Sequence, residues 1–244
     1  MVTTLYLVRH GDTEGSETKR YKGSIDVPLS EKGIEQVKGS SVFIREYLRN
    51  ASSSKHMSYL KDIHGSSDDK AEARRSITYE STSELPNFRA SSLQAVYTSN
   101  LSRALRSAEL IAEPYGLKPV ETPDLRERSF GIWEGMTFSE IKEQYPEEFE
   151  AWADNPLRYS PIKGESTIKV KDRTMPSLTK ILDNHEGENI AVVAHGGVNR
   201  IILCHFLGIP LENIFRIEQD YAAVNIIELW DKYPVVKLIN GGHG

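Results

Sequence analysis

The chain lacks the features of several protein classes. It has one cysteine, Cys204, in 244 residues, so no intrachain disulfide can form. Cys204 sits in the apolar stretch around Leu203 and reads as a buried structural thiol rather than a nucleophile. No stretch approaches the ~20 consecutive apolar residues of a membrane-spanning helix. The first residues, through Leu5–Val8, form a short apolar run with no basic segment before it. A strand is therefore expected there rather than a signal peptide, and the cytoplasm is the default location. Basic residues are not in excess: 30 Lys and Arg against 35 Asp and Glu leave a net charge of −5. That argues against nucleic acid or a membrane surface as the main partner, since both are bound through basic surface. A small anionic substrate needs only a local basic pocket. Neither glycine fingerprint of the nucleotide-binding folds follows the first strand.

What is present is an ordinary globular composition, 39% hydrophobic and 27% charged. Leu5–Val8 reads as a central strand ending in Arg9-His10-Gly11. Ser30 is placed as an N-cap, with Leu29 and Ile34 as a staple, for a helix running to about Arg49. Strand character returns at Leu93–Tyr97, and Ser99 is placed to cap the helix after it. A short strand is expected at Lys118–Glu121, and two short helices near Phe138–Gln144 and Glu147–Ala153. A helix from Ser166 to about His185 contains Pro176, where a kink or break is expected. Ile190–Ala194 is a second apolar strand, ending in His195-Gly196-Gly197, with a helix through Leu207 behind it. Ala222–Leu229 and Val235–Ile239 complete the set. Alternating strands and helices imply an α/β fold of three layers, a mostly parallel sheet with helices on both faces. The chain reads as one domain, residues 1–244, with a polar insertion at about 50–91. The insertion is expected to be either a mobile loop or a small excursion with one short helix near Asp69–Arg75. It reads as poorly ordered or as functional, in the second case a cover over a pocket or a contact with a second subunit, so a homodimer is one expectation.

Two strands end alike, in an apolar run, then His, then Gly. Ligands of parallel α/β sheets bind beyond the carboxyl ends of the strands, so His10 and His195 should face one crevice. Gly11, Gly196 and Gly197 permit close backbone approach, and the helix after Gly196 would offer free amides to an anion. Arg9 precedes His10, and Arg103 lies just past another strand end. Guanidinium groups bind phosphate oxygens in bidentate fashion. Two Arg and two His around one crevice repel each other unless an anion neutralises them, and a phosphate monoester is the simplest such anion. No carboxylate or cysteine stands at metal-ligand spacing from either histidine, so no metal is expected. His56, His64, His185, His205 and His243 have no partner pattern and are expected to be structural or exposed. Phe130 and Trp133 are expected to pack beneath their loop.

Arg9-His10-Gly11-Asp12-Thr13 resembles the signature of the histidine phosphatase superfamily, the phosphoglycerate mutase-like family. The likeness continues through Gly23, Asp26–Ser30, Tyr97–Ser99 with Arg103, Leu125–Glu127 with Gly131–Gly135, Gly164–Ser166 and Ala194–Gly197. The resemblance implies that His10 attacks phosphorus as a neutral imidazole and becomes a phosphohistidine. It implies that Arg9, Arg103 and His195 hold the phosphoryl oxygens, and that Glu127 protonates the leaving oxygen and then activates water. It implies a metal-free site with no cofactor. Ser16, Lys22, Gly23 and Gly196 join Arg9, Arg103 and His195 as candidate substrate-binding residues.

The sequence departs from its relatives in two places. Gly15-Ser16 stands where many relatives carry Trp-Asn, leaving Ser16 one hydrogen bond to give. Lys22 stands where Gln is frequent, and reads either as a solvated charge or as a site for a further anionic group. The resemblance implies a phosphomonoesterase for a small phosphorylated metabolite. The loop Arg20–Gly23 with Ile25–Pro28 is most like the α-ribazole phosphatases of cobalamin synthesis. Phosphoserine and phosphoglycerate phosphatases share most motifs. The alternatives are a cofactor-dependent phosphoglycerate mutase and a binding protein that has lost turnover.

Overall fold

Thr3–Arg9 forms β1, and Leu5 to Val8 are all buried because the strand runs through the middle of the sheet. The computed structural model describes residues 2–51, 92–231 and 233–242. Ser30 accepts the Gly33 amide at 3.0 Å, the cap the sequence suggested for α1 (Glu31–Ala51). Then come β2 (Ala95–Thr98), α2 (Ser102–Ala112), β3 (Val120–Glu121), α3 (Phe138–Gln144) and α4 (Pro146–Asp154). The chain continues with α5 (Thr167–Asp183), β4 (Asn189–Ala194), α6 (Gly196–Leu207), β5 (Val224–Leu229) and β6 (Pro234–Gly241).

The six strands lie in the order β3-β2-β4-β1-β5-β6. Pairings from β3 to β1 are parallel, while β5 and β6 run antiparallel. This is the three-layer, mostly parallel α/β fold expected from the sequence. Alternate residues of each central strand serve opposite faces. Leu5 and Leu7, with Ile190 and Val192, pack against Val170 and Leu178 of α5 and Ile201 and Ile202 of α6. Tyr6 and Val8, with Ala191 and Val193, pack against Val37 and Ile44 of α1 and Ala108 and Ile111 of α2. Each such side chain contributes about 1.5–3 kcal/mol by leaving water. Among the described residues no helix is long and apolar enough to cross a membrane.

Two local expectations change. Of the kink or break expected at Pro176, the break does not occur: the helix runs through it as one element. Thr174, Leu178 and Ile181, buried on either side, hold both halves against the sheet, and Thr174 Oγ1 also donates to the Asp124 carbonyl at 3.1 Å. Ala222 was expected to open the fifth strand, but its φ of 60° is left-handed, so extended backbone begins only at Val224.

The expected insertion, its short helix and its reading as a cover lie outside the described residues, apart from the two residues that end α1. The points where the segment joins the fold are described. Ser30 N–H donates to the Asp12 carbonyl, so α1 starts beside the carboxyl end of β1. Its 21 residues span roughly 31 Å, running back along the strand until Tyr47 meets Tyr6. On the other side, Gln94 N–H donates to the Asn189 carbonyl, where β4 begins. Both joins thus stand at the end of the sheet opposite the carboxyl ends of its parallel strands. Replacing residues 56–82 with a short Gly/Ser linker should leave the far-UV circular dichroism intact. It should shift the melting temperature by no more than about 4 °C, because shortening a loop changes its closure entropy only slightly. Loss of the cooperative transition would show that the segment belongs to the core.

Candidate active site

Parallel pairing places Arg9 level with Ala194, so the residues that follow them emerge side by side. His10 N–H donates to the Ala194 carbonyl, and the rings of His10 and His195 lie 5.1 Å apart between centroids. Both are buried, His195 completely. His10 Nδ1 lies 2.7 Å from the Gly11 carbonyl. A carbonyl can only accept, so Nδ1 carries the hydrogen and Nε2 of the neutral ring keeps its lone pair. Burial holds the His10 pKa well below the ordinary histidine value, and the positive charges of Arg9, Arg103 and Lys22 push it the same way. Burial does the same to His195, helped by its neighbours His10, Arg103 and Arg9. Both rings are neutral near pH 7.

Ser99 Oγ lies 2.7 Å from His195 Nε2. Sequence reasoning gave Ser99 to the cap of the next helix, and the structure corrects this. Asp26 supplies that cap from a distant loop, accepting from the Ser102 amide at 2.8 Å and its hydroxyl at 2.7 Å. Ser99 is thereby free to orient His195. The hydroxyl also receives the Leu101 amide at 3.4 Å. The other ring nitrogen of His195, Nδ1, is buried and has no partner among the described residues.

The arginines are anchored by carbonyls. Arg103, only 2% exposed, donates to the Gly23 and Ile25 carbonyls at 2.7 and 2.8 Å, fastening the loop before α1. The Arg9 guanidinium lies 3.9 Å from the centre of the Tyr221 ring and donates to the Gln219 carbonyl. Gln219 is held by paired hydrogen bonds with buried Asn225, which also donates to the Leu7 carbonyl. Arg9 Nε is buried and has no partner among the described residues. Glu127 accepts from its neighbour Arg128 N–H at 2.9 Å and from Gly197 N–H at 3.1 Å. The first turn of α6 was expected to offer its amides to a ligand, but the Gly197 amide already serves this carboxylate. A Cβ on residue 197 would lie 2.6 Å from Glu127 Oε1, so the contact requires glycine.

These groups meet at a cavity of about 800 Å³. Its wall includes Arg9, His10, Ser16, Lys22, Gly23, Arg103, Glu127 and Gly196, while His195 lies fully covered beside His10. Lys22 lines the cavity, where its Nζ donates to Thr13 Oγ1 at 2.7 Å and to the Glu14 carbonyl. Ser16 lies on a short 3-10 turn, Ser16–Thr18, at the rim. Phe130 and Trp133 pack as expected, Trp133 stacked on Tyr159, but both also line the cavity. Tyr221 was missed, although its position gives a signal. Antiparallel β5 starts where β1 ends, so residues just before it border the crevice, as the Ala222 N–H bond to the His10 carbonyl shows. Cys204 is buried, as expected. His185 pairs with Tyr97 and Glu188 far from the site, and His205 is exposed. His56, His64 and His243 lie outside the described residues. Among the described residues no cluster of three or more His, Cys, Asp or Glu side chains could hold a metal.

The two neutral rings make stability depend on pH. Unfolded histidine titrates near pH 6.5, so below that value the unfolded chain takes up protons that the folded chain does not. Folding should weaken as pH falls from 7.5 to 5.5, by up to about 1.4 kcal/mol per pH unit for each such ring. Urea titrations of wild type and His10→Asn should show a shallower slope in the variant. Equal slopes would mean that His10 is charged in the folded protein.

Comparison with known proteins agrees with this geometry. Residues 5–55 and 83–241 match the model of the histidine phosphatase superfamily, branch 1. The chain is similar to phosphoserine phosphatase 1 of Hydrogenobacter thermophilus, 26% identical over 236 residues, 97% of this chain and 91% of that protein. It is 32% identical over 204 residues, 82% of this chain and 67% of the relative, to the metal-independent phosphoserine phosphatase of Arabidopsis thaliana. A putative alpha-ribazole-5'-P phosphatase from Escherichia coli shares the fold with a TM-score of 0.74 at 22% identity, covering 99% of this chain and 97% of that one. Matched across most of its length by the family model, the chain belongs to the histidine phosphatase superfamily, branch 1.

Proposed function

We propose that this protein is a phosphomonoesterase that hydrolyses a small phosphorylated metabolite through a phosphohistidine on His10, with no metal ion. One observation carries the reading. A buried imidazole with its hydrogen tied up on Nδ1 presents a free Nε2 lone pair among Arg9, Arg103 and Lys22, with the Glu127 carboxylate on the same wall. The relatives named above, phosphoserine and α-ribazole phosphatases, support the same reaction class.

In the first step a bond forms from Nε2 to phosphorus as the bond to the ester oxygen breaks, and Glu127 delivers a proton to that oxygen. In the second, water attacks phosphorus, the N–P bond breaks, and Glu127 takes the proton from water. The cations stabilise the charge on the three outer oxygens, a role that metal ions fill in other phosphoryl-transfer sites. Arg9 Nε, a buried donor without an acceptor among the described residues, gains one when a phosphoryl group arrives, and His195 Nδ1, likewise buried and without a partner there, is the second nitrogen left to meet it. Tyr221 and Gln219 act through Arg9 as positioning residues.

Wild type should release phosphate from a generic phosphomonoester at the same rate with and without EDTA. His10→Ala should lower kcat by at least ~10³-fold, the scale of losing a covalent nucleophile. Turnover that survives in His10→Ala, or stops with EDTA, would contradict the mechanism. Tyr221→Leu removes the ring under Arg9 but no charge. It should raise KM for the phosphomonoester about five- to tenfold, on the scale of a desolvated cation–π contact. An unchanged KM would dismiss the positioning role.

A further inference from the structure

The cationic cradle fills one end of the cavity, and the other end is of different chemistry. Phe138, Phe149 and Trp152 form a ring cluster there, with centroids 4.9, 5.8 and 6.2 Å apart, and Trp133 lies 6.3 Å from Trp152. Tyr21 and Phe130 pair at 4.7 Å between this cluster and the cradle. Ile201, Ile214 and Phe215 line the same cavity. Phe215 is 67% exposed and Phe138 48%, so two large rings stand in water at the rim of a concave site. Isolated exposed aromatics are common, but two that line one cavity together with a ring cluster mark a surface that an apolar group would cover.

The charges on these walls are already engaged. Arg20 makes a two-pronged bond with Glu140 and donates to the Gly135 carbonyl. Arg128 donates to the Glu165 and Tyr159 carbonyls and to Thr167 Oγ1. Arg200 serves the Ile217 carbonyl and pairs with Glu218. Lys19 lies on the solvent side of the rim. A substrate carrying a carboxylate beside its phosphate would meet rings, two arginines already paired with carboxylates, and Arg128, each of whose three nitrogens already donates within the protein. A cavity of about 800 Å³ is also far larger than such a substrate fills.

We propose that the aromatic end of the cavity is a substrate subsite that selects phosphomonoesters of bulky, ring-bearing apolar alcohols over phosphorylated amino acids and hydroxy acids. The proposal rests on the phosphatase reading, which places the phosphoryl group at His10. The ring of the alcohol lies against the aromatic lining that includes Phe138 and Phe215, and covering these side chains removes their exposed area from water. Phe138 and Phe215 are thus specificity residues, remote from the reacting atoms.

The test compares 2-(1-naphthyl)ethyl phosphate with ethyl phosphate and phosphoserine, all esters of primary alcohols. Wild type should favour the naphthyl ester in kcat/KM by about 100-fold, a preference within reach of a hydrophobic pocket. Phe138→Ala and Phe215→Ala should each cut that ratio about tenfold, and both sites are exposed enough for the fold to tolerate the change. Calorimetry with the matching naphthylethyl and ethyl phosphonates, which cannot be hydrolysed, reads the subsite without turnover. Equal affinity for the two phosphonates overturns the subsite, even if every ester is hydrolysed. So does a second copy of the chain covering the wall, seen as a dimer that Phe215→Ala dissociates with the naphthyl preference intact. Discrimination between the phosphonates without turnover of any ester would instead retain the subsite and refute the phosphatase reading.

Discussion

The hydrogen bond from His10 Nδ1 to the Gly11 carbonyl is the constraint on which the site depends. It fixes the ring, decides which nitrogen keeps its lone pair, and does so within one residue of the strand that delivers the histidine. The rest of the fold serves that ring. Pairing of β1 with β4 sets the second imidazole beside it, and burial keeps both neutral although Arg9, Arg103 and Lys22 are close. A charged imidazole has no lone pair to give, so the cations that would hold a phosphoryl group also keep the nucleophile competent.

The guanidiniums are immobilised by groups that cannot compete for a phosphate. Carbonyls of the loop before α1 hold Arg103, while the Tyr221 ring and the Gln219 carbonyl hold Arg9. Carbonyls and rings orient a cation without cancelling its charge, as a carboxylate would. Elsewhere in the cavity, Arg20 is paired with Glu140 and Arg200 with Glu218, and Arg128 is held by carbonyls and Thr167. The cavity is thereby divided into a charged end and an aromatic end.

Much of this is legible in the sequence because it depends on local order. An apolar run that stops at His and Gly identifies a central strand and a residue at its carboxyl end, and parallel-sheet geometry then brings His10 and His195 together. Arg9 and Arg103 follow by the same rule. What escaped depends on contacts between distant segments. Ser99 is a plausible cap until Asp26, far away in sequence, takes that task. Tyr221 lies ahead of an antiparallel strand, whose amino end reaches the crevice, whereas the parallel rule looks only to carboxyl ends. The Gly197 amide looks free for a ligand until the fold delivers Glu127 to it. Pro176 suggests a break until burial on both sides of it is known. In each case a local preference is overridden by a partner that spacing along the chain does not reveal.

The protonation state of His10 is the most direct test of this account. Long-range nitrogen–proton NMR correlation on protein labelled with ¹⁵N-histidine, with His10→Asn used for assignment, reports both ring nitrogens at once. At pH 7 without ligand, His10 should be neutral, with its hydrogen on Nδ1 and an unprotonated Nε2. A doubly protonated ring, or a neutral ring with its hydrogen on Nε2, would contradict it.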